Sequence, residues 1–416
     1  MKKSFFYAGL FIAAACFFLS CKKSGVNPPG DVTNTITLPA NGTSAVAASN
    51  SFAFKFFQSA LQNDAGGNNK LISPLSIYLA LSMVYNGADN ATKDSMATAL
   101  QLAGFNINDL NQTCKALIDQ LPGEDNKVTL SIANSIWYAK GNIQPLSSFL
   151  TVNSNYFNAG FQPLDFTNPS SVNTINNWAS ANTQGKIPTI LTAIDPSDVM
   201  YLLNAIYFKG AWQYSFKPSD TYNDAFHLPD GSIVNVPFMK QVLTLNTFHG
   251  SQFDMAELPY GGGNSFSMFV ISPNDKTIPF NQFAANLDAT VIKSAVAGMS
   301  KVPGVTLLLP KWEYSYPIDD MRPELAALGM GIAFSNGADF SKMYNTGVEI
   351  DKAIHKTYIK VDEVGTEAAA VTVIGITPTD VGPFNYFRLD HPFIYVIAEK
   401  QTGAILFTGI LNDPSK

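Results

Sequence analysis

The side chains able to do covalent chemistry are few and far apart in this sequence. It has four histidines, His227, His249, His355 and His391; no two have the spacing of a zinc-binding H-E-x-x-H, and no C-x-x-C occurs. A serine hydrolase presents its nucleophile on a strained turn, yet G-x-S-x-G is absent. Ser73, Ser76 and His355 are the residue types of a partial triad. Ser73, however, precedes Pro74 and an apolar helical run, where its hydroxyl is expected to cap the helix. Gly261-Gly262-Gly263 is followed by no Lys and opens no helix pattern, so it reads as a turn and not a phosphate cradle. Glu367 has no carboxylate partner placed for acid–base work. This is not the inventory of an enzyme, and no metal or cofactor site is expected.

Glu367 stands in the stretch whose signals conflict most, GTEAAAVTVIGITPTDVG, Gly365 to Gly382. Three alanines favour a helix, whereas Val371, Thr372, Val373, Ile374 and Ile376 favour a strand. The tail from Thr377 to Pro383 is turn chemistry. No Lys or Arg interrupts it. Such disagreement between local signals marks a functional element or one with two conformations. Written as an extended chain, the stretch puts Thr366, Ala368, Ala370, Thr372 and Ile374 on one uncharged face. Glu367, Ala369, Val371, Val373 and Gly375 form the other, where the carboxylate is expected to stay in solvent.

The elements that position these residues follow an export segment. Met1-Lys2-Lys3 and the apolar run Phe5 to Leu19 read as a signal peptide over residues 1–20, too short to span a membrane. Phe18-Leu19-Ser20-Cys21 resembles a bacterial lipobox, with Cys21 as the lipidated terminus. Residues 21–45 then read as a flexible anchored tether rich in Gly, Ser, Asn, Pro and Thr. With Cys21 acylated, Cys114 has no disulfide partner, so a core must hold the fold. At 46% hydrophobic residues, with 30 Phe and 16 Tyr, the remainder builds a large one. We expect one domain over 46–416. The net charge of -6 is not bunched, which argues against nucleic acid as a partner. A helix is expected after Ser73-Pro74 up to Asn86-Gly87, and another over 172–184. Strands are expected at 199–208, 266–271, 305–309, 357–361, 393–398 and 404–411, the last two flanking a hairpin. Helices come early and strands late, the order of an α+β protein.

Six segments of this chain resemble the serpin family: Ile72–Ala88 (ISPLSIYLALSMVYNGA), Asn204–Trp212 (NAIYFKGAW), Glu257–Met268 (ELPYGGGNSFSM), Ala338–Met343 (ADFSKM), His355–Thr372 (HKTYIKVDEVGTEAAAVT) and Asp390–Gly409 (DHPFIYVIAEKQTGAILFTG). They occur in the family's order and at its spacing. The resemblance, to a bacterial lipoprotein-type serpin, implies a fold of three β-sheets with eight or nine helices and an exposed reactive loop over about 365–386. It implies a suicide inhibitor of endopeptidases whose loop, once cut, enters the main sheet. Serpins are themselves the familiar example of a loop that inserts into a sheet, so the question is whether these residues permit it. The hinge would be Glu363, Gly365, Thr366, Glu367, Ala368, Ala369 and Ala370, all but the two glutamates small or uncharged. Val371 is larger than the alanine often found there and is expected to slow insertion modestly. Ser73, Ser76, Asn204 and His355 match the polar cluster beneath the opening sheet, and Trp212 the aromatic where insertion starts. The helix bearing Trp178 matches the one covering the sheet.

Counting the family's usual interval from Glu363 places the cut at Thr379-Asp380, with Ile376 or Val381 as alternatives because the loop is longer here. Fifteen residues from Gly365 to Thr379 at about 3.3 Å each span roughly 50 Å, enough to carry a protease across the domain. Roughly fifteen new ladder bonds at about 1 kcal/mol each would supply about 15 kcal/mol for distorting it. Pro378 followed by a small β-branched residue suits elastase-like serine proteases; papain-like cysteine proteases remain open as targets. The expected molecule is a monomer held by its lipid on the periplasmic side or the cell surface. The competing expectations are a non-inhibitory serpin acting as a binding protein and an anchored small-molecule carrier.

Overall fold

The computed structural model describes residues 34–63, 67–141, 143–263, 265–367 and 385–416. The signal peptide, Cys21, Ala368, Ala369, Ala370, Ile376, Thr379, Asp380 and Val381 lie outside them.

Helix Pro74–Tyr85 is apolar nearly all round, and all but one of its residues are buried. A helix with no polar face belongs at the centre of a core. It lies between two sheets. One has six strands among the described residues, in the order Trp312–Ile318, His355–Val361, Gly365–Thr366, Met200–Ala211, Val128–Ala139 and Gly160–Leu164. The apolar run at Met200–Ala211 is explained by cover on both faces. Ile206 and Phe208 join the main core. Tyr201 and Leu203 pack on the other side with Ile175 and Ala179 of helix Ser171–Asn182.

The second sheet has nine strands among the described residues. Its centre is Phe253–Pro259, Phe266–Pro273, Phe393–Glu399 and Ile405–Leu411, buried almost throughout. The long strand Ile233–His249 leaves this layer and also pairs with Tyr222–His227 and Ser300–Pro310, which in turn holds Asn385–Arg388. That outer portion is the third sheet expected from the sequence, continuous with the second through one strand. Nine α-helices are present among the described residues.

Two sequence expectations change. The tether was expected to run to residue 45, but the described chain from Asn34 onward already belongs to the folded unit. Ile36 is 4% exposed, and it exchanges two hydrogen bonds with Gln401, from the Ile36 N–H to Oε1 and from Nε2 to the Ile36 carbonyl, both 2.9 Å. Helix Gly42–Asn63 already covers residues 42–45. The polar composition of the segment hid one buried isoleucine. Ser73 does precede the helix with Pro74 in the first turn, but its hydroxyl makes no cap. It donates instead to the Leu406 carbonyl at 2.8 Å. Cys114 is a free buried thiol, pushed up to about 12 by burial.

Gly409 shows how tightly the central layers meet. A Cβ there would lie 2.4 Å from the Tyr395 ring and hydroxyl and 2.6 Å from the Lys70 carbonyl. Gly409→Ala is therefore expected to cost about 1–3 kcal/mol in urea unfolding. A loss below about 0.5 kcal/mol would mean that Tyr395 moves aside freely.

Candidate functional site

The short strand Gly365–Thr366 lies between His355–Val361 and Met200–Ala211, antiparallel to both. Gly365 stands opposite Ala211, Thr366 opposite Gly210 on one side and Val361 on the other. Only glycine fits at 365, because a Cβ would sit 2.1 Å from the Gly210 carbonyl oxygen. Thr366 faces inward, 4% exposed, with its hydroxyl 2.5 Å from that of Tyr260. Tyr260 in turn stacks on Trp212 at 4.6 Å and 11°. Trp212 holds the turn before the strand, donating from its indole to the Asp362 carbonyl and from its backbone to the Val364 carbonyl. The short strand thus rests on an aromatic floor. Its inward-facing Thr366 is satisfied by a buried phenol.

Two ion pairs flank this turn. Glu363 accepts from Lys311 at 2.7 Å and from Thr221 at 2.8 Å. Burial pushes its carboxyl up, but Lys311, its own backbone and Thr221 more than reverse this, leaving it below the usual range. Glu367 was expected to remain in solvent. Instead its side chain is 15% exposed and 3.0 Å from Lys186, in the segment after helix Ser171–Asn182. The cause is local: Glu367 has φ +49, the left-handed region, so the chain leaves the strand direction there. Lys186 also lies over the Tyr358 ring, 4.7 Å from its centroid.

Six residues further down the two strands lie Asn204 and His355. With Ser73 and Ser76 they line one cavity of about 50 Å³. His355 is buried; burial lowers its pKa to about 3. Its Nε2 accepts the Ser73 backbone N–H at 3.0 Å. The partial triad is therefore excluded, since the Ser73 hydroxyl bonds elsewhere and the imidazole is not its base. Asn204 donates to Asn134 at 2.8 Å, while its own Oδ1 has no hydrogen-bond partner among the described residues. Thr357 donates to the Leu71 carbonyl at 2.8 Å. Below, a larger cavity of about 580 Å³ separates residues 199–203 from 347–354. Among the described residues, the sheet order joins the two strands only through Gly365–Thr366.

Glu363, Gly365, Thr366, Glu367 and Trp212 thus meet at one end of this slot, and Ser73, Ser76, Asn204 and His355 at its middle. Sequence reasoning did not assign Lys311, Lys186 or Tyr260. Tyr260 stood inside one of the six resembling segments, but nothing in the one-dimensional pattern brings Lys311 beside Glu363.

Residues 47–414 match the family model described as serpin (serine protease inhibitor). The chain belongs to the serpin family. It is 30% identical to plasminogen activator inhibitor 1 of Sus scrofa over 87% of this chain and 91% of that one. Among solved structures, tengpin, a thermophilic serpin in its native state, superposes with a TM-score of 0.82 at 33% identity, covering 92% of this chain and 97% of that one. Thyroxine-binding globulin in complex with thyroxine gives 0.79 at 26% identity, covering 90% and 100%. The family thus includes protease inhibitors and a hormone-binding protein.

The buried imidazole makes stability depend on pH. An unfolded histidine takes its proton near pH 6.5, whereas His355 resists it down to about 3, so the unfolded chain binds the extra proton throughout that window. Native stability should fall as pH drops from about 6.5 towards 3, by up to about 1.4 kcal/mol per pH unit from this residue. Comparing urea unfolding of the wild type and His355→Gln across that range isolates the contribution. Parallel pH profiles would show that the imidazole is protonated in the folded state.

Proposed function

We propose that the chain is a suicide inhibitor of endopeptidases, best suited to elastase-like serine proteases, acting by cleavage and insertion of its reactive loop. The observation that carries this reading is the strand Gly365–Thr366, already seated in register at the head of the slot. Continuing that register by six residues from Thr366 would bring Thr372 between Asn204 and His355, since both lie six positions below the residues that pair with Thr366. An uncharged, β-branched residue suits that place, above Asn204 Oδ1, which lacks a hydrogen-bond partner among the described residues. The uncut molecule would be kinetically trapped, with insertion supplying the energy to distort an acylated protease.

The reactive bond in this reading is Thr379-Asp380, with Ile376 or Val381 as the alternative residue before the cut. Pro378 and the absence of Lys and Arg between Gly365 and Gly382 favour elastase-like over trypsin-like targets. A papain-like cysteine protease is the second class of partner. We further propose a monomer, lipid-anchored at Cys21 on the periplasmic side or cell surface. No cofactor is invoked.

Incubating the chain with elastase-like, chymotrypsin-like, trypsin-like and papain-like proteases should yield a band at the summed mass that survives boiling in detergent, first with the elastase-like enzymes. Peptide mapping should place the cut after Thr379. Cleavage by every class without such a band, together with an unchanged melting temperature after the cut, would instead favour a non-inhibitory binding protein. Cys21→Ala should move the chain from the membrane fraction to the soluble one; retention in the membrane would refute the anchor.

A further inference from the structure

The slot has a lower mouth as well as an upper one, and a charged bridge crosses it. Asp198 lies just before strand Met200–Ala211, and Lys352 just before His355–Val361. Lys352 Nζ is 2.8 Å from Asp198 Oδ2 and 3.4 Å from the Tyr201 hydroxyl. Tyr201 donates to the same carboxylate oxygen. Its ring is 7% exposed and edge-on to Phe166 at 5.5 Å. Burial, then the hydrogen bond to Asp198 and its charge, hold the phenol protonated well above its ordinary range. The three groups therefore form one unit: a fixed phenol orients the carboxylate, and the carboxylate holds a lysine from the opposite side of the slot.

The alternative acceptors are otherwise engaged. Asp195 accepts from the backbone and hydroxyl of Ser197 at 2.9 and 2.6 Å. Asp351 lies 3.6 Å from Arg322. Between the bridge and the hinge lies the cavity of about 580 Å³, whose lining includes Asp198, Tyr201 and Lys352. A strand growing down from Thr366 in its present register passes Lys352 nine residues beyond Val361 and Asp198 twelve residues beyond Gly210. It would have to run between them. Adding a strand sets its two neighbours about 10 Å apart, two sheet spacings, so a bridge made directly between the flanking segments would have to open.

We propose that Asp198, Tyr201 and Lys352 form a clasp across the lower mouth of the slot, which must part before the last third of the loop can enter. The proposal rests on the insertion reading given above and adds its rate-controlling contact at the distal end. The clasp is made in the closed form alone. It therefore stabilises the uncut molecule and slows completion of insertion without touching the protease or the reactive bond. The phenol's role is positioning.

The test uses the full chain cut by saturating elastase-like protease, with completion of insertion followed by tryptophan fluorescence and confirmed by melting of the product. Four chains are compared: wild type, Asp198→Asn, Lys352→Met and the double variant. Lys352→Met is expected to insert about fivefold faster, the scale of a partly exposed ion pair. The double variant should be no faster than Lys352→Met, because both changes break one contact. Added salt should accelerate the wild type and leave Lys352→Met unchanged. If the cut wild type gains no heat resistance, the insertion reading itself fails and the clasp with it. If the wild type inserts but all four chains do so at one rate, or the single effects add, the clasp alone is overturned. Asp198→Asn keeps the acceptor for Tyr201, so it separates loss of the ion pair from loss of folding.

Discussion

Two β-strand edges that face each other without meeting govern this molecule. Met200–Ala211 and His355–Val361 belong to one sheet, yet among the described residues a strand of two residues is all that joins them. Backbone donors and acceptors at buried edges need partners. At the head of the slot that need is met by Gly365–Thr366, which pairs with both edges. A glycine at 365 and the Tyr260–Trp212 stack beneath 366 are the local conditions that let this short strand seat there.

Charge is distributed along the slot in a pattern that follows from this. At the upper end, Glu363 and Glu367 are tied to Lys311 and Lys186. At the lower end, Asp198 is tied to Lys352. In the middle, His355 is held neutral by burial, and Asn204 supplies an amide. A charged residue in the middle would meet a large desolvation cost whenever the sheet closed or filled. Neutral polar groups can instead exchange one partner for another as strands separate. The ends, partly open to water, tolerate ion pairs that lose little when broken. Under the proposed insertion reading, a molecule built this way would be held by the height of its barrier.

The sequence made a good part of this legible, and the reasons differ by element. The buried helix beginning at Pro74 and the strand at Met200–Ala211 are apolar beyond what one covered face needs, so their central position could be inferred. Conflicting signals singled out Gly365–Gly382, of which Gly365, Thr366 and Glu367 are described. The alternation rule placed Thr366 inward, where the structure has it. The same rule failed for Glu367, because a positive φ and Lys186, from a segment 181 residues earlier in the chain, override strand geometry. Ser73 was misread as a cap for a similar reason. Local chemistry permitted the cap, but the tertiary acceptor at Leu406 won. Ile36, in a tract rich in polar residues, gave no clear periodic signal before its pairing with Gln401. Ion pairs between distant segments, Lys311 with Glu363 and Lys352 with Asp198, have no signature in one dimension.

The central claim is that the slot is shaped to accept one more strand, and amide hydrogen exchange before and after loop cleavage tests it most directly. Slow exchange reports a hydrogen-bonded, closed backbone. The account predicts that amides within Asn204–Phe208 and His355–Val361 that face the slot become strongly protected once the loop is cut, while amides in Phe393–Glu399 hardly change. Unchanged exchange along both slot strands in the cut chain would contradict it.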